Sequence, residues 1–199
     1  MWTSWRNPSI TNLEERPQIV NIMELEERGL RVISVMKQIP ELSHLPVDSL
    51  NKIPLGWLTK RSILTHGICR FDKNLRSRKR RGPLAVEHIK INPEFAQNEK
   101  WSRYADHTLY HEFLHALGFW NHNEEFRKME GLWPDIEASG MGKEFSDFLQ
   151  DKYCKWELAC PSCEWKVLYS RRPDPRSTYI CKKCKSIMDC FEREPRCDN

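Results

Sequence analysis

The sequence predicts an α+β fold: a compact core of helices with a small sheet, followed by a small ribbon held by cysteines. Three observations predict it. Segments with helical spacing alternate with two short strand-like runs across residues 15–153. Four of the seven histidines fall within residues 107–122, "HTLYHEFLHALGFWNH". Two C-x₂-C pairs, Cys160/Cys163 and Cys181/Cys184, stand seventeen residues apart near the end. The expected boundaries are 15–153 for the core and 154–192 for the ribbon, with 1–14 and 193–199 as flexible ends.

Taken in order, residues 17–38 read as an amphipathic helix. Ile19, Ile22, Met23, Leu30, Ile33 and Met36 recur near helical spacing, with Gly29 weakening the middle. Pro40, Pro46 and Pro54 break the next stretch into loop and short turns. "SILTHGICRFD" and "LAVEHIKINP" are the strand candidates, joined by a long basic connection. The histidine-rich helix runs from near Ser102 to about Gly118. Asn123 suits an N-cap for a helix opening on Glu124 and Glu125. "GKEFSDFLQDKY" reads as a further helix before the ribbon.

Composition narrows the class. Of 199 residues 39% are hydrophobic, and eight tryptophans with eight phenylalanines supply enough apolar area to oppose wholesale disorder. The net charge of +4 hides an uneven distribution. Residues 70–82 hold seven basic side chains against Asp72, whereas 124–151 hold eight acidic and three basic ones. The N-terminus shows no apolar leader, and no apolar run approaches the roughly 18 residues of a membrane span. An intracellular setting is therefore expected, in the cytoplasm, nucleoid or nucleus. In a reducing compartment, eight cysteines point to metal ligation before disulfides.

"HEFLH" puts His111 and His115 one helical turn apart, on one face, where two imidazoles can reach a single tetrahedral zinc. Glu112 beside the first ligand can reach the fourth coordination position and serve as general base toward a water. A third ligand is required. His122 follows the helix-ending Gly118 and can fold back, whereas His107 competes from one turn before His111. Ligands on three consecutive turns of a straight helix would spread over about 12 Å, which favours His122. His107 then reads as a group behind the ligands, a substrate-facing group, or a plain polar helix residue.

The segments "GICRFD", "HIKINPEF", "TLYHEFLHALGFW", "NHNEEFRKM" and "CPSC…CKKC" together resemble the SprT-like (Spartan-type) zinc metalloproteases over about residues 15–190. The resemblance implies a zincin-like helix-and-sheet core with an open groove, a zinc ribbon, and action on proteins crosslinked to DNA.

Cys160, Cys163, Cys181 and Cys184 fit a closed structural zinc site, so two zinc ions per chain are expected. Cys69 reads as a small hydrophobe in a strand. Cys154, Cys190 and Cys197 have no ligand spacing. Lys166, Arg171, Arg172, Arg176, Lys182, Lys183 and Lys185 in the ribbon, with Trp165 and Tyr169 among them, and Arg78, Lys79, Arg80 and Arg81 in the basic run combine phosphate-neutralising and base-stacking groups. These are the candidate contacts to DNA, single-stranded DNA in particular. The expectation is a monomeric zinc endopeptidase acting on DNA-associated proteins, with no membrane partner. The alternatives are a nucleic-acid-binding or regulatory zinc protein without protease activity, and a general peptidase with no DNA role.

Overall fold

The computed structural model describes residues 15–59, 62–72 and 82–193, with side chains from Ile22 onward. Arg78, Lys79, Arg80, Arg81 and Cys197 lie outside the described residues. Packing divides the chain into two compact units. One comprises the chain up to Leu58 with Gly67–Ile136, and the other comprises Thr59–His66 with Glu137 onward. Mixed helices and small sheets make an α+β protein.

The first unit opens with α1, Glu15–Met36. Its buried stripe is Leu25, Gly29, Val32, Ile33 and Met36, at helical spacing. Ile22, Met23 and Leu30, which the sequence also offered for the core, are exposed instead. Gly29 explains the rotation: a Cβ there would run into the Leu55 side chain, so the missing side chain lets the sheet come close. Leu55 lies in β1, Leu55–Trp57, inside the stretch expected to be loop and turns.

β1 pairs parallel with the central β3, Val86–Ile91, and β2, Gly67–Phe71, pairs antiparallel on its other side. The sheet order is β1-β3-β2. Ile89 and Ile91 of β3 are fully buried. Residues 62–66, expected to extend the second strand, form a turn.

After the short α2, Glu94–Gln97, comes α3, Ser102–Leu117. Leu109, Tyr110, Phe113, Leu114 and Ala116 are completely buried in α3, so this helix is the spine of the unit. Arg28 of α1 clamps the start of α3 through Asp106 at 2.6 Å and the Ser102 carbonyl at 2.7 Å. Gly118 ends α3 in the left-handed region at φ 115°, which glycine adopts without steric cost. α4, Glu124–Glu130, follows directly, capped as expected by the Asn123 side chain, which accepts from the Phe126 N–H at 3.0 Å.

The second unit contains α5, Ile136–Gly140, from Glu137 onward, and α6, Gly142–Tyr153. It also holds an antiparallel sheet of β4, Trp156–Ala159, β5, Lys166–Tyr169, and β6, Asp189–Glu192, in the order β5-β4-β6. α6 thus groups with the ribbon that follows it. Among the described residues, no helix is long and apolar enough to cross a membrane.

Candidate metal centres and active site

α3 projects His111 and His115 from successive turns, as their spacing requires, and the reversal at Gly118 returns His122 to the same point. The ligand-capable atoms of the three histidines lie within 4.8 Å of one another. The His111 Nε2 stands 3.1 Å from His115 Nε2 and 3.0 Å from His122 Nε2.

The other ring nitrogens have partners of their own. His111 Nδ1 donates to the Glu130 carboxylate at 2.6 Å, and His115 Nδ1 donates to the Phe119 carbonyl at 2.7 Å. With both Nδ1 atoms acting as donors, the Nε2 atoms of His111 and His115 are the ones left facing each other. Nitrogen atoms at this distance need a proton or a metal ion between them. The spacing is close to the roughly 3.3 Å edge of a tetrahedron built with metal–nitrogen bonds of about 2.0–2.1 Å. Burial holds the His115 imidazole down at about 4, so it stays neutral, the form that ligates. Three imidazole nitrogens converging on one point fit a divalent metal.

Glu130 is the residue that sequence reasoning missed. It lies eight positions beyond His122 with no motif to mark it. α4 carries Phe126 and Glu130 one turn apart on one face. Phe126, fully buried, packs its ring 4.7 to 4.9 Å from each of the three histidine rings. Glu130 fixes the tautomer of His111, and that same hydrogen bond pulls its own carboxyl below the usual range. Tyr110 steadies the end of α4 by donating its hydroxyl to the Met129 carbonyl.

Glu112 points away from Glu130, toward β2. It is 5% exposed, and burial pushes its carboxyl up to about 7 against the lowering influence of His111 and of the Cys69 N–H, which donates to it. Gly67 makes this possible, because a Cβ there would lie 2.7 Å from Glu112 Oε1 and 2.9 Å from Thr108 Cγ2. A cavity of about 450 Å³ opens over the group, lined by Gly67, Ile68, Cys69, Phe71, His111, Glu112, His115, Trp120 and His122. His107 does not join the cluster. It is buried behind it and stacks on Tyr104 with ring centroids 6.1 Å apart.

The second candidate centre is local to the ribbon. Cys160, Cys163, Cys181 and Cys184 bring their sulfurs within 4.8 Å of one another, with Cys160–Cys184 at 3.3 Å and Cys163–Cys181 at 3.5 Å. Each C-x₂-C pair is followed by a residue in the left-handed region, Glu164 at φ 57° and Lys185 at φ 66°. Glu164 donates its N–H to the Cys160 carbonyl and Lys185 donates to that of Cys181, so the two knuckles repeat one turn. Hydrogen bonding to Ser186 draws the Cys184 thiol down to about 6, toward the thiolate that binds metals.

Trp165 and Tyr169 are half-buried against the ribbon core of Leu158, Cys160, Cys181 and Met188. Arg171 is exposed. Arg172 lies over the Trp156 ring at 5.0 Å, and Trp156 sits opposite Tyr169 in the sheet, an aromatic that nothing in the spacing singles out. Compared with family models, curated proteins and solved structures, the chain finds no match in any of the three.

Proposed function

We propose that the chain is a zinc-dependent endopeptidase with a zincin-like core of SprT type, acting on proteins attached to DNA. The observation that carries this reading is the pairing of three converging imidazoles with a buried carboxylate, both opening on one cavity. A purely structural metal site has no use for Glu112, whose burial costs free energy. Zinc held by His111, His115 and His122 would supply Lewis acidity and acidify a water toward neutral pH. Glu112 takes the proton of the attacking water and passes it to the leaving amine, a role suited to a carboxyl held up at about 7. The Cys69 N–H keeps the carboxylate aimed. A second zinc in the four-cysteine site stabilises the ribbon without doing chemistry.

The DNA half rests on the SprT resemblance and on the charge of the ribbon and of the run from Arg78 to Arg81. In the ribbon, Lys182, Lys183 and Lys185 are exposed together with Arg171. One observation favours a peptidase without DNA: Lys166 and Arg176 are engaged by Glu157 and Asp174, and both Trp165 and Tyr169 pack inward. Cleavage of a protein crosslinked to an oligonucleotide, with and without added single-stranded DNA and across salt, decides between the two. The proposal expects zinc-dependent cleavage stimulated by DNA, with binding that falls steeply as salt rises. Cleavage indifferent to DNA leaves the plain peptidase, and no zinc-dependent cleavage ends both.

A further inference from the structure

We propose that Cys69, Phe71 and Trp120 form a side-chain recognition subsite, so that cleavage falls beside a large apolar or aromatic residue. This rests on the endopeptidase reading above and names the substrate class of that same site.

Gly67, Cys69 and Phe71 alternate along β2 and share one of its faces. Their size grows along the strand. At Gly67 the sheet meets Glu112 and Thr108 of α3 so closely that no side chain fits. Farther along, strand and helix give way to the cavity, and Phe71 stands at its edge. There the register slips between Arg70, opposite His88, and Phe71, opposite Val86, leaving Glu87 as an extra residue. This bulge in β3 increases the local twist of the strand pair at the end where Phe71 stands. From the other side comes Trp120, carried by the loop after Gly118. Its ring meets Phe71 edge-on, centroids 6.5 Å apart at 79°.

The chemistry of the lining selects the ligand. Once His111, His115, His122 and Glu112 are assigned to metal and proton transfer, the lining residues left are Gly67, Ile68, Cys69, Phe71 and Trp120. Among the described residues, no lysine, arginine or further carboxylate lines the cavity to pair a charged substrate side chain. A charge entering here would lose water and gain no partner, whereas an aromatic ring buries area against two aromatic edges. Burial, and then the Glu112 charge, push the Cys69 thiol up to about 12, so it adds a neutral surface. The volume, about 450 Å³, is within the range of side-chain and small-ligand pockets. Because Glu112 and the three histidines line the same cavity, the residue held here is adjacent to the bond attacked.

The test uses the full-length, zinc-loaded protein and peptides of one sequence varied at a single position among Phe, Leu, Ala, Lys and Asp. The expected result is kcat/KM about tenfold or more higher for Phe than for Lys or Asp. Phe71→Ala and Trp120→Ala should erase most of that discrimination, while Phe71→Leu shifts it from Phe toward Leu with zinc content unchanged. A second arm measures binding of the labelled Phe and Asp peptides to Glu112→Gln protein. Equal binding, or tighter binding of the Asp peptide, overturns the subsite whether or not the parent cleaves. If the parent cleaves nothing yet the Phe peptide binds selectively, the protease reading falls and the subsite stands. If Trp120→Ala weakens single-stranded oligonucleotide binding and leaves peptide discrimination intact, the wall reads bases and the proposal is wrong.

Discussion

The two candidate metal centres are built in opposite ways. The four-cysteine site takes all its donors from two copies of one turn, each closed by its own backbone hydrogen bond and each followed by a left-handed residue. The three-histidine site takes its donors from a helix and the loop after it. It also borrows orientation from α4, through Glu130 and Phe126, while the Phe119 carbonyl of its own loop holds His115. Four thiolates would close a tetrahedral ion, whereas three imidazoles beside a cavity would leave one position open. Closure goes with stability, and an open position with chemistry.

Separating the two sites by mutation has the largest expected effect. Cys181→Ser removes a buried donor, and because ligation energy on the order of 10 kcal/mol is folding energy in such sites, the ribbon should unfold. Elemental analysis should then find one zinc per chain in place of two, with the histidine site still loaded. His122→Ala should produce the reverse, one zinc lost and the ribbon's amide spectrum unchanged. Simultaneous loss of both ions in either variant would mean the centres are not independent.

Glu112→Gln should lower kcat by about 10² to 10⁴ while both ions stay bound, since the amide keeps the shape and cannot take a proton. The same carboxyl sets a pH dependence. Its proton-accepting form is lost as pH falls through its pKa, about 7 in the protein without metal and lower beside a dication, so kcat/KM should fall on the acid side of that range. A rate that rises as pH drops from 7 to 5 would reverse the assignment.

Glu130→Gln sharpens the contrast at smaller scale. Losing the carboxylate behind His111 should weaken zinc at the histidine site about 10- to 100-fold, read by competition with a chromophoric chelator. The cysteine site should not change. The smallest effect belongs to Lys185→Gly, which relieves a left-handed residue in the second knuckle. It should raise ribbon stability by roughly 1 kcal/mol or less, measured as a modest rise in melting temperature.

Residues whose geometry is local are legible in the sequence alone. His111 and His115 share a face because α-helices repeat every 3.6 residues. Asn123 caps α4 because its side chain reaches only its own next turn. Each cysteine pair of the ribbon closes within its own turn, and the fold of the ribbon brings the two turns together. Less is legible where a neighbour in space decides. β1 is hidden because three residues carry too little periodicity, and only pairing with β3 makes them a strand. The inward face of α1 differs from the expected one because Gly29, a weakness by helix propensity, is where Leu55 of β1 packs.

By itself, then, the sequence determined the α+β class, the three-histidine set with its adjacent carboxylate, and the two cysteine knuckles, each read from the spacing of its own residues. Tertiary structure alone decided the rest. It brought Glu130 from α4 behind His111 and set Gly67 against Glu112. It faced Phe71 with Trp120 across the cavity, laid Arg172 on Trp156, and grouped α6 with the ribbon. These partners stand 19 to 49 residues apart along the chain for the first three and are unmarked by any repeat. Packing of buried surfaces, rather than the reach of one residue to its next turn, is what brings them together.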